Sequence, residues 1–184
     1  MLDITPEAKA VNVLNQLGEA LESNDIDTAV DQFGDTCFWR DLVSFTWNIK
    51  TLESKDQIRD MLNAQLASVK PSNWEIDSSE GVTEDDGVIT AWFKFETAVS
   101  RGYGLMRLVD DKIWTLLTTM VELKGFEEPK GFGRPLGAKH GQGKHRTTWK
   151  EEREAEEREL GYTRQPYTVI IGGGQGGIAL GARL

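Results

Sequence analysis

The sequence predicts an α+β domain followed by the opening of a βα unit, and three observations carry that prediction. Apolar residues recur at helical spacing up to Val69, and strict alternation replaces it from Asn73 onward. Helices first and strands later is the order of an α+β fold, whereas alternating units would signal a parallel sheet. Near the carboxyl end, Gly172, Gly174 and Gly177 lie between two apolar runs, Val169-Ile170-Ile171 and Ile178-Ala179-Leu180.

Taken in order, Thr5-Pro6-Glu7 supplies an N-cap, a proline at the first helical position and an acid in the first turn. Val11, Leu14, Leu17 and Leu21 then predict an amphipathic helix to about Glu22. Ser23 or Asn24 caps a shorter helix with Ile26, Ala29, Val30 and Phe33 on one stripe, ended by Gly34-Asp35. From Cys37 to Ile49 the chain is aromatic and β-branched, with charges only at Arg40 and Asp41; this reads as short strands or an irregular cavity-lining segment. Ser54 and Gln57 form a capping box before a third helix that stops ahead of Pro71. Trp74 and Ile76 open the strands, and Asp85-Asp86-Gly87 marks a hairpin. Ile89, Ala91, Phe93 and Phe95 fall on one face of the next strand, with Thr90, Trp92, Lys94 and Glu96 on the other. Further strands are expected around 103–109 and 113–123.

Composition changes near Lys124. Residues 125–146 hold six Gly, two Pro and both histidines, the make-up of a connector. Thr148 with Glu151 caps a helix from Trp149 to Leu160 that is charged almost all round, with Glu154 and Arg158 at i,i+4 and Gly161 placed to end it. Such a helix bridges domains. The expected organisation is a domain over 1–124, a connector with its charged helix over 125–165, and the start of a nucleotide-binding domain over 166–184.

The glycines have the G-x-G-x-x-G spacing of a dinucleotide-binding turn. Gly172 permits the turn, Gly174 admits a pyrophosphate to the backbone, and Gly177 lets the helix approach the strand. With Gly173, Gln175 and Gly176 they make up the expected cofactor-binding residues. A flexible linker would be polar and Ser-rich, and this stretch is neither. A βαβ unit runs about 30 residues and its ribose-binding acid lies about 20 residues past the glycines. The sequence to Leu184 contains neither, so it reads as the truncated front piece of a longer enzyme.

A net charge of −9 argues against nucleic acid as a partner. No run of eighteen apolar residues suggests a membrane span and no leader pattern is present, so the cytoplasmic compartment is the expectation. The single cysteine, Cys37, reads as a small buried hydrophobe. His140 and His145 stand in a Gly/Lys-rich loop without further ligands, so no metal site is expected.

The order of these parts resembles the amino-terminal portion of a flavin-containing monooxygenase that carries a nuclear transport factor 2-like (SnoaL-like) front domain. The resemblance lies in Phe38-Trp39-Arg40-Asp41-Leu42 with Phe45-Thr46-Trp47, in Gly137-Ala138-Lys139-His140-Gly141, in Trp149 to Arg153 and in Pro166 to Gly177. It implies a cone of three helices on a curved antiparallel sheet, FAD at the glycine turn, and NADPH at a second fingerprint downstream. It also implies oxygenation of a small organic substrate through a flavin hydroperoxide, the protein positioning and shielding the cofactor. Residues 1–184 alone would bind FAD weakly or not at all, with the front domain serving in association or as a cap.

Some relatives of that front fold use a cavity acid as a base, which makes Asp41 the one catalytic candidate here; the competing reading is an Arg40–Asp41 pair on the rim. Trp92 shares its face with Lys94 and Glu96 and marks a surface for a second subunit, hence a homodimer, or for another domain. The runner-up function is a free-standing small-molecule-binding or isomerase/cyclase-type domain, or a dimerisation module.

Overall fold

A computed structural model describes residues 5–133, 147–166 and 168–183. The chain divides into two compact units, 1–134 and 135–184. His140, His145 and the Gly137-to-Gly141 stretch lie outside the described residues.

In the front unit, α1 (Pro6–Glu22) starts as expected, with the Thr5 hydroxyl accepting from the Ala8 amide. The second helix, α2 (Ile26–Asp31), is shorter than its stripe suggests, and Phe33 opens β1 (Phe33–Leu42). A six-residue loop leads to β2 (Ile49–Leu52), and α3 (Lys55–Val69) follows. The Ser54 hydroxyl accepts from the Gln57 amide, but the Gln57 side chain reaches back one residue further than a capping box requires, to the Glu53 amide. The remaining strands are β3 (Ser72–Ile76), β4 (Val82–Asp85), β5 (Val88–Glu96), β6 (Ser100–Val109) and β7 (Lys112–Leu123). Asp86 and Gly87, then Asp110 and Asp111, all take positive φ, so both tight hairpins turn through the left-handed region.

The strands form one curved sheet in the order β2-β1-β7-β6-β5-β3, with β4 also on β5. The expected antiparallel sheet is in fact mixed, because β1 runs parallel to β7. Tight turns force β4–β5 and β6–β7 to be antiparallel. No such turn joins β1 to β7, so their relative direction is unconstrained by a loop.

The helices pack on one face, and alternation sends Ile89, Ala91, Phe93 and Phe95 into it. There the aromatic rings form a chain of successive contacts. Phe33 stacks on Trp39 at 5.8 Å, Trp39 meets Phe45 at 5.0 Å, Phe45 meets Phe95 at 6.1 Å, and Phe95 stacks on Trp74 at 5.0 Å. The rings of Phe93 and Phe95 fit only because glycine stands opposite: a Cβ at Gly104 would lie 2.3 Å from Phe93, and one at Gly102 2.2 Å from Phe95. Removing one such ring costs about 3–5 kcal/mol. The concave interior is therefore occupied by the protein itself.

The second unit contains α4 (Trp149–Glu159), whose Thr148 and Glu151 form the reciprocal capping box the sequence predicts. Glu154 pairs with Lys150 rather than with Arg158. Gly161 takes φ +82° and ends the helix. The last helix, α5 (Gln175–Arg183), begins inside the glycine run. Residues 168–173, expected as a strand and its turn, pair with no strand among the described residues. A strand is held by its neighbour, and the sequence alone cannot supply one.

Candidate functional site

Two places merit the name: the Asp41 carboxylate and the glycine turn. Alternation along β1 sends Asp41 inward and Arg40 outward, so consecutive residues cannot pair across the sheet. The Arg40 guanidinium donates instead to Thr51 Oγ1 at 2.8 Å, and the rim pair does not form.

Asp41 is fully buried, and its two oxygens are surrounded by donors. The Ser44 amide donates at 3.2 Å, the Phe45 amide at 3.1 Å to each oxygen, and the Thr46 amide at 2.8 Å. The Thr46 hydroxyl adds a bond of 2.7 Å. On the far side Trp39 Nε1 donates to Thr118 Oγ1, and that hydroxyl donates to Asp41, both at 2.9 Å. A carboxylate has about four lone-pair positions. Five donors occupy those positions, an arrangement that suits a structural carboxylate better than the weak general-base candidacy of Asp41. Its job is local. The loop after β1 carries Val43 at φ +58° and Trp47 at φ +51°, strained values for bulky residues. Asp41 gives that loop's amides the acceptors that a continued ladder would have provided. Thr46 and Thr118 were not singled out from sequence; an Asp with a Thr five residues on is the only local signal.

Cys37 is buried, and burial pushes its thiol pKa up, away from the reactive thiolate. A further buried acid, Asp77, is held down to about 2 by the Ser79 hydroxyl first, then by Lys94, whose ammonium lies 3.1 Å away.

Two open recesses border the front unit. One of about 760 Å³ is bordered by Trp74, Lys94, Phe95, Arg101, Tyr103 and Glu122. Another of about 590 Å³ lies where β1 bulges away from β7, between Lys55, Lys112 and Trp114.

At the glycine turn, Gly172 takes φ +113°, a value closed to other residues. A Cβ on Gly177 would lie 2.1 Å from the Gly172 carbonyl oxygen and 3.3 Å from Ile170. The first turn of α5 thus touches the segment that leads into it. Around Gly173, Gly174 and Gly176 there is open space. The first helical bond runs from the Ile178 amide to the Gly174 carbonyl, at 3.0 Å. The amides before it, including that of Gln175, have no intrahelical acceptor.

No family model matches the chain, and no curated protein does. Solved structures do. A domain of unknown function with a cystatin-like fold from Nostoc punctiforme is 15% identical, with a TM-score of 0.52 over 62% of this chain and 76% of that one. An NTF-2 like protein of unknown function from Burkholderia xenovorans is 12% identical, with a TM-score of 0.44 over 72% and 89%. An NTF2-like protein of unknown function from Cytophaga hutchinsonii is 13% identical, with a TM-score of 0.41 over 65% and 92%. The first of these establishes the fold, and the fold alone. No helix among the described residues is long and apolar enough to cross a membrane.

Proposed function

We propose that the glycine turn holds the diphosphate of FAD, in a flavin-dependent monooxygenase that oxygenates a small organic substrate. In this reading the front α+β unit is a non-catalytic association or cap domain. The observation that carries it is the contact between Gly177 and the Gly172 carbonyl, in a turn that also leaves the first amides of α5 free of acceptors. Pyrophosphate binding by a βα turn needs those three things together: a left-handed glycine, a close helix approach and free amides. The residues present fit the diphosphate. Bound flavin would supply the oxygen chemistry, while Gly172, Gly173, Gly174, Gln175, Gly176 and Gly177 would orient it through their backbone. NADPH as the reductant rests on the family resemblance alone.

The test is to purify the product of the uninterrupted reading frame and record its absorbance spectrum. Flavin is expected to copurify, and Gly174→Val to release it by closing the approach of the phosphates. A colourless protein that ignores added FAD, or a frame that stops at Leu184, removes the reading.

A second reading treats the front unit as self-sufficient, a small-molecule-binding, isomerase-type or dimerisation domain. A solved likeness with a TM-score of 0.52 over 62% of the chain supports it. Its ligand-binding form has the open recesses to use.

A further inference from the structure

Two register slips meet at one residue, Trp114, near the start of β7. On one side Phe33 pairs with Ile113 and Phe38 with Thr115, so Gly34, Asp35, Thr36 and Cys37 stand against Trp114 alone. On the other side Leu108 pairs with Ile113 and Arg107 with Thr115, which leaves Trp114 outside that ladder as well. A bulge re-aims the side chain it carries. Ile113 and Leu116 stay in the core, while the Trp114 indole is 36% exposed and borders the recess of about 590 Å³. Val88 and Val109 lie on the same border, and Val109 is 38% exposed. The volume falls within the range of small-molecule sites.

Two ammonium groups border the same space. Lys112 Nζ donates to the Asp31 carbonyl at 2.6 Å, and no carboxylate lies within ion-pair distance of it among the described residues. An ammonium has three donors, so that bond steadies the head and leaves donors to spare. Lys55, the first residue of α3, stands 3.9 Å from the Asp35 carboxylate, a long pair whose acid is wholly exposed. Such a pair contributes little and yields to a better partner.

We propose that this recess binds a planar aromatic monocarboxylate. Its ring lies against the Trp114 indole and the two valines, and its carboxylate is held by Lys112 with Lys55 as the second cation. A flat ring suits the indole face, and a carboxylate gives Lys112 the charged acceptor it lacks. A dianion such as inorganic phosphate would meet Asp35 and Asp110 on the same border and would leave the apolar side unused. The inference does not involve the glycine turn, so it is independent of the flavin reading. It deepens the second reading of the front unit, for which it names a site and a ligand class.

Isothermal calorimetry of the full 184-residue protein with 2-naphthoate tests this. Saturable binding is expected, with a dissociation constant on the order of 100 μM for about a dozen heavy atoms in an open recess. 2-Naphthamide, of the same shape but uncharged, should bind at least about tenfold more weakly. Lys112→Met and Trp114→Ala should each weaken naphthoate at least about tenfold, with the circular dichroism spectrum unchanged. If either variant proves unstable, Val109→Glu takes its place, setting a like charge at an exposed position on the recess. No binding of naphthoate at about ten times that concentration overturns the proposal, and so does an amide that binds as well as the acid. Binding indifferent to the folded variants overturns it too, placing the ligand elsewhere and leaving the small-molecule reading of the front unit standing.

Discussion

Replacing Asp41 by Asn separates a structural carboxylate from a catalytic one. The side chains are nearly the same size, so packing is preserved and only the acceptors change. Oδ2 accepts from the Phe45 and Thr46 amides and the Thr46 hydroxyl, and Oδ1 from the Ser44 and Phe45 amides and Thr118. Whichever way the new amide turns, its NH₂ faces three donors. Bonds to a charged acceptor contribute about 1.5–3 kcal/mol each, and a buried donor left unmatched costs about 1–3 kcal/mol. Partial relaxation of the loop recovers some of this. A loss of about 3–5 kcal/mol is expected, a large part of the 5–15 kcal/mol that holds a domain together. Urea unfolding followed by tryptophan fluorescence measures it, and amide exchange at Ser44 to Thr46 locates it. A loss below about 1 kcal/mol, with those amides still protected, would refute the structural role. A general base would behave in the opposite way, losing turnover while stability held.

Two further outcomes follow from the same geometry. Gly104→Ala places a methyl 2.3 Å from the Phe93 ring and 2.4 Å from the Leu117 carbonyl oxygen, so an overpacking loss of about 1–3 kcal/mol is expected in the same urea experiment. Shortening the ring by Phe93→Leu in the same chain should recover part of it. Asp77 has a folded pKa of about 2 against an ordinary 3.8, so its contribution is fully present above about pH 4 and is lost as pH falls through about 2. Ser79→Ala, which removes the largest cause of that shift, should flatten the acid limb of stability over that window, and an unchanged limb would count against it.

What the sequence made legible depended on whether the deciding interaction was local. The caps at Thr5, Ser54 and Thr148 satisfy amides within one turn, so the residues that matter sit three apart and can be read directly. The two faces of β5 were equally plain, because alternation is a property of one strand. Asp41 was misread for the opposite reason. Its burial and its link to Thr118 depend on a residue 77 positions away, brought beside it by a parallel pairing that no hairpin announces. The glycines facing Phe93 and Phe95 were silent in the same way: Gly102 and Gly104 look like ordinary breaks in a strand until the partner strand is in register. The glycine turn lies between these cases. Its close approach is local and the spacing foretold it, whereas a strand at Val169 to Ile171 would need a neighbour to exist at all.

These facts together separate the two units by the kind of work each is built for. The front unit fills its concave face with its own rings and uses its one deeply buried β1 carboxylate to hold a strained loop. The helix-free face of its sheet carries Leu42, Trp92, Tyr103, Leu105 and Leu117, all half-buried. The second unit leaves a different need: free amides at a helix start, with glycines cleared of side chains around them. Anionic phosphate answers that need and an apolar partner does not. The proposed reading rests its nucleotide assignment on that arrangement of glycines and amides.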